Sequence, residues 1–246
     1  MGESFGRYTL GRDSDLMTLV SSANIACGFH AGDPSVMHST VRMAAEHGVG
    51  IGAHPGFPDL TGFGRRNLTM SAAELRDAII YQVSALQGFA RVFNTSVRHV
   101  KPHGALYNMA AEDDTMAHAV VDVLQQLDDS LILFGLPGSV LLNIAQHAGL
   151  RVAREVFADR AYTENGRLVP RNQPGAVITD VATVADRVLR MVTERKVTAI
   201  TGIVIELEFE TICLHGDTVG AVECARQITR VLRQEGIAIA PVGTFA

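Results

Sequence analysis

The chain has no tryptophan, only three cysteines and only two lysines, Lys101 and Lys196, among its 246 residues. An odd, low cysteine count argues against a disulfide framework and fits a reducing cytoplasm. No apolar run approaches the roughly 20 residues that a bilayer span requires. The opening MGESFGRYTLGRDSD has neither the cationic start nor the apolar core of a signal peptide. Basic blocks are missing as well. Lys plus Arg number 21 against 26 Asp plus Glu, a net charge of −5, which lacks the positive footprint of a nucleic-acid binder. There is no GxxxxGK[ST] phosphate loop, no HExxH, no GxSxG elbow and no paired CxxC of structural zinc. The chain is long enough to bury most of its apolar surface without covalent staples.

What is present is an alternation of short apolar runs and amphipathic stretches. The runs are Ser22–Gly28, Val49–His54, Val97–Lys101, Ser130–Leu136, Arg151–Phe157, a sixth within Ala199–Leu214 with a hairpin, and Ile237–Val242. Between them, Asp33-Pro34 reads as a helix N-cap with Pro at the first position, closing near Gly48. Ser71-Ala-Ala-Glu74 is a capping box, and Leu75, Ile79, Val83 and Leu86 recur at helical spacing. Further helices carry Val120 and Leu127, Gly138–Ala148, Val181 to Val192 and Ala221 to Leu232. Strand-then-helix repetition implies one α/β domain over residues 1–246, a parallel sheet of about seven strands covered by helices. Periodicity fits an open sheet and a closed barrel equally. Two connections, Pro55–Met70 and Ala158–Ala176, are long enough to be lids or binding loops.

Histidine, nine against two lysines, is the informative residue. His30, His54, His103 and His215 each follow an apolar run beside Gly or Pro, and the C-terminal ends of parallel strands gather on the side that holds the site. His54 and His103 are the candidate general bases. His99, within a strand, packs. Asp33, Asp59 and Asp217 follow His30, His54 and His215 closely enough to orient them, although Asp33 and Asp217 serve equally as plain N-caps. Glu155 lies in an apolar strand, where a carboxylate needs a partner. Lys101 ends an apolar strand two residues before His103 and is the candidate electrostatic stabiliser. Arg65, Arg66, Arg160 and Arg171, in the two long loops, are candidate anion clamps. Together these residues point to a small anionic substrate. Cys27-x-x-His30 and Cys213-x-His215 leave a catalytic metal open.

Taken as a set, SANIACGFHAGDP, GVGIGAHPGFPDLTGFGRR, YQVSALQG, VRHVKPHGALYN, EVFADRAYTENGRLVPR, QPGAVI and ICLHGDT resemble the LamB/YcsF family, in order and along almost the whole chain. The resemblance implies a (β/α)7-type barrel of the glycoside hydrolase/deacetylase kind. It also implies the A component of a bacterial ATP-dependent 5-oxoprolinase, acting in the cytoplasm with B and C partner subunits. That assembly opens 5-oxo-L-proline to L-glutamate and hydrolyses ATP. The barrel analogy alone leaves a metal-dependent, polysaccharide-deacetylase-like hydrolase as an alternative, and a purely activating, non-catalytic role within the assembly is the third reading. Family members usually begin with a DLNxDxGE-like strand, of which only the last part stands at Met1-Gly2-Glu3. The expectation is therefore a barrel short of its first strand.

Overall fold

The computed structural model describes residues 1–244. After the short helix α1 (Asp13–Leu16), strands and helices alternate: β1 (Ser22–Ala26), α2 (Pro34–His47), β2 (Gly50–His54), α3 (Ala72–Val92), β3 (Val97–Val100), α4 (Gly104–Ala110) and α5 (Asp114–Leu127). β4 (Ile132–Gly135), α6 (Val140–His147), β5 (Arg151–Phe157) and α7 (Val181–Glu194) continue the pattern. β6 (Lys196–Thr198), β7 (Val204–Glu206), β8 (Thr211–Cys213) and α8 (Ala221–Gln234) complete it.

The local chemistry explains the boundaries. Asp33 caps α2 through the amides of Ser35 and Val36, and Gly48, with φ 66°, ends it in the left-handed conformation that favours glycine. The Ser71–Glu74 capping box starts α3 with both reciprocal bonds formed.

Six strands form one parallel sheet in the order β1-β2-β3-β4-β5-β8. Its register pairs Ala26 with His54, Ala53 with Val100 and Val156 with Ile212. The sheet curls into a half-barrel. Its convex face buries Ile25, Ile51, Val100 and Leu133 against α2, α3, α5 and α6 through Val41, Val83, Leu86 and Leu124. Alternation along each strand sends the other side chains inward. The concave side therefore carries Asn24, His54, Lys101, Phe134, Ala153, Glu155 and Cys213, which line a cavity of about 1560 Å³.

The sixth run carries its expected hairpin as the antiparallel pair β6 and β7, outside the sheet, and supplies β8 to the sheet. One expectation changes: Ile237–Val242 is not a strand, so the sheet has six parallel strands and not seven. Pro241 has no amide to donate to a ladder, and Val242 packs instead against Ile132, Phe134 and Ala153 of the concave face. Met1 lies along the outer edge of β1, its ammonium donating to the Asn24 carbonyl at 2.9 Å and its carbonyl accepting from the Ala26 amide at 3.0 Å. Among the described residues no helix is long and apolar enough to cross a membrane.

Candidate active site

Three of the four strand-end histidines meet. His54 ends β2, His103 precedes α4, and His30 follows β1. His30 and His103 stack with ring centroids 3.7 Å apart and planes 3° from parallel. Close packing depends on Gly64, where a Cβ would fall 2.7 Å from His30 Cβ and 2.9 Å from the His103 ring. His54 Nδ1 lies 2.6 Å from the Lys101 carbonyl, His54 Nε2 lies 3.0 Å from His103 Nδ1, and His103 Nε2 lies 2.8 Å from the Phe63 carbonyl. Phe63 takes a positive φ of 55°, a conformation uncommon for a non-glycine residue.

This chain of contacts runs from one carbonyl to another. Three contacts need three protons, and two neutral imidazoles bring two. Burial lowers the proton affinity of both rings and brings His103 to about 3. While both are neutral, one contact sets a lone pair against a lone pair, and every nitrogen of the pair faces another protein group.

His30 is 1% exposed and, among the described residues, neither of its nitrogens has a partner. Ligand atoms of Glu3, His30 and His103 lie within 4.8 Å of one another. They do not fit an ion as placed. Lone pairs in two parallel imidazole planes cannot converge on one tetrahedral centre, and both His103 nitrogens are engaged. Cys27 lies in the convex core, where burial pushes its thiol up to about 12. No step is therefore assigned to a metal.

Beside this cluster stands a buried ion pair. Lys101 Nζ lies 2.7 Å from Glu155 Oε2 and donates to Cys213 Sγ at 3.2 Å. Its ammonium sits 4.9 Å from the Phe157 ring centroid and 5.5 Å from that of Tyr107. The Tyr107 hydroxyl donates to Glu155 at 3.3 Å. Burial opposes the lysine charge, but the Glu155 carboxylate, with the Cys213 sulfur accepting a hydrogen bond beside it, outweighs this and raises the lysine pKa above its ordinary value. Burial pushes the Cys213 thiol up to about 12, so it stays protonated. The sequence singles out Lys101 and Glu155 separately; the structure makes them partners.

His215 stands apart from the other three. Its Nδ1 is 2.9 Å and 3.0 Å from the two oxygens of Asp159, a residue that sequence reasoning misses. The signal is present: Asp159 follows β5 as the histidines follow their strands. Asp217 pairs with Arg65 at 2.7 Å and not with His215. Arg65 lines the cavity together with Arg160 and Arg171. Arg160 also fastens the second long loop, donating to the Val169 carbonyl at 2.5 Å and the Ala176 carbonyl at 3.3 Å. Burial lowers its pKa to about 10, which leaves it a cation at neutral pH.

Three candidates leave the site. Asp33 is a helix cap that also accepts from the Gly6 amide at 2.8 Å, and does not orient His30. Asp59 turns away from His54 to accept from Arg66 and from the Gly62 amide. Arg66 is committed to that pair and to Thr61, because both partners lie in its own loop. Asp59 and Arg66 thus fold the first long loop, while neighbouring Arg65 faces the cavity.

The LamB/YcsF family model matches residues 1–246. The chain is 53% identical over 239 residues to a protein of Tolumonas auensis named as the A subunit of 5-oxoprolinase, covering 97% of this chain and 95% of that protein. It is 50% identical over 245 residues to the protein of the same name from Pyrococcus horikoshii, covering 100% and 96%. The crystal structure of a lactam utilization protein from Thermus thermophilus superposes with a TM-score of 0.93 at 44% identity, covering 98% of this chain and 96% of that one.

Proposed function

The chain belongs to the LamB/YcsF family, and from that premise we propose that it is the A subunit of an ATP-dependent 5-oxoprolinase. It works in the cytoplasm with B and C partner subunits, and the assembly opens 5-oxo-L-proline to L-glutamate. The names carried by relatives at about 50% identity support this reading. The fold reads as a (β/α)7-type barrel of the glycoside hydrolase/deacetylase kind, here with six parallel strands presenting the site at their C-terminal ends.

One observation carries the chemistry. A buried ammonium, held by Glu155 and Cys213, stands at the wall of a cavity whose lining also includes the cations Arg65, Arg160 and Arg171. Lactam opening needs these parts. The substrate carboxylate is held by arginine, whose fork suits it. The lactam oxygen gains negative charge as water attacks C5, and Lys101, oriented before the reaction, stabilises that charge. Glu155 is a positioning residue that keeps the ammonium aimed. The amide is stable, and ATP hydrolysis by the assembly supplies the driving force for its opening. His54, His103 and His30 form the packed wall behind Lys101.

The test is glutamate release from 5-oxoproline by the chain with its B and C partners. Release that requires ATP is expected. No release, with the same partners active alongside another A subunit, overturns the reading.

A further inference from the structure

Of the four strand-end histidines, three have no nitrogen open to the cavity. Every nitrogen of His54 and His103 faces the other ring or a backbone carbonyl. His30 is 1% exposed beneath the stack. His215 differs: it lines the cavity as His54 and His103 do, but its side chain is 19% accessible. Among the described residues no hydrogen bond engages its Nε2. Its Nδ1 lies against both oxygens of Asp159, whose carboxylate is 2% accessible. The ring also packs on Phe157, centroids 5.6 Å apart and planes 16° from parallel, which fixes the imidazole plane.

We propose that His215 is the proton-transfer residue of this site and that Asp159 is its positioning residue, a role resting on the lactam-opening reading above. An ionised carboxylate accepts but cannot donate. It therefore selects the tautomer with the proton on Nδ1 and leaves the Nε2 lone pair facing the cavity, the logic of a carboxylate behind a catalytic histidine. As water attacks C5, the new C–O bond forms and the water proton passes to Nε2. The C5–N bond then breaks, and the ring nitrogen takes that proton from Nε2. One water is consumed, and His215 returns to its neutral form. The developing imidazolium lies against Asp159, so the same contact stabilises the charge that appears. Lys101, whose ammonium touches Cys213 two residues before His215, is then the oxyanion partner on the neighbouring wall.

Two measurements on Asp159→Asn test the pair. The first is long-range ¹⁵N NMR of imidazole-labelled chain at pH 8. The His215 signals, identified by their loss in His215→Gln, are expected as the Nδ1–H tautomer. In Asp159→Asn, where the amide donates to Nδ1, they are expected as Nε2–H. An Nε2–H tautomer in the unaltered chain overturns the proposal. The second is turnover in the complete assembly. Asp159→Asn and His215→Gln are each expected to lower kcat by about 100-fold or more, with KM within a few-fold, while Asp159→Glu recovers part of the loss. An Asp159→Asn assembly within threefold of normal kcat also overturns it. Absence of ATP-dependent turnover in the unaltered assembly would instead sink the lactam reading and with it the role in turnover. The NMR result would still decide whether the dyad exists. Unchanged His54 and His103 signals show that each variant is folded.

Discussion

Gly52 and His99 share one volume: a Cβ on Gly52 would lie within the His99 imidazole. The ring crosses β2 from β3 and reaches Asn24 of β1, its Nε2 3.0 Å from the amide oxygen, with Phe134 stacked at 4.2 Å on its other side. Three adjacent strands are thus tied across the concave face by one side chain that needs a glycine beneath it. Gly52→Ala must expel the ring, break the Asn24 bond and strand a buried imidazole. The expected loss is about 3 kcal/mol or more, read by urea unfolding. A change below about 1 kcal/mol would mean that His99 does not lie over β2.

The Lys101–Glu155 pair gives a sharper test because its two halves are far apart in sequence. Lys101→Met leaves the Glu155 carboxylate buried without its cation, with a cost of about 3–5 kcal/mol. Lys101→Met combined with Glu155→Leu removes both charges and should recover most of that stability without recovering turnover. Denaturant unfolding of the single and double variants, beside glutamate release, separates the two effects. A double variant as unstable as the single would show that the charges are not mutually compensating.

Neighbouring arginines in one loop are expected to diverge. Arg65 lines the cavity and pairs with Asp217, so Arg65→Ala should raise KM for 5-oxoproline about tenfold or more. Arg66 is held by Asp59 and Thr61 outside the cavity. Arg66→Ala should leave KM within about threefold while speeding amide exchange across residues 57–66. Equal effects on KM from both variants would contradict the division.

These residues also show where sequence reasoning stops. The rule that functional groups follow parallel strands places His30, His54, His103 and His215 on one side of the sheet, because that rule depends only on chain direction. A buried carboxylate in β5 and an isolated lysine after β3 stand out because each is costly where it lies. Partnerships are less legible. Proximity in sequence pairs Asp217 with its neighbour His215, whereas the partner of His215 is Asp159, 56 residues earlier. β5 and β8 are adjacent in the sheet, and nothing local in either segment records that adjacency. The short helix α4 leaves little trace because it is seven residues long and its N-cap, His103, makes no capping bond with its side chain. Ile237–Val242 is as apolar as a strand, but its apolarity serves to plug the concave face.

Acid should unfold this protein early. Burial lowers the pKa of His99 to about 3, and burial likewise brings His103 to about 3. The ordinary value is about 6.5. Above pH 6.5 both states are neutral at these rings, and neither contributes a slope. Below it the unfolded chain takes up a proton at each ring that the native chain refuses, so stability falls with falling pH until the native rings titrate near 3. Each ring costs ~1.4 kcal/mol per pH unit in that window. Two rings between pH 6.5 and 5 therefore cost on the order of 4 kcal/mol, and His54 and His30, lowered by burial in the same direction, add to it. Urea unfolding at pH 7.5 and 5.0 measures the loss. His99→Gln, whatever its stability at pH 7.5, should lose about one proton's worth of slope. Equal stability at the two pH values would mean that these rings are protonated in the folded protein.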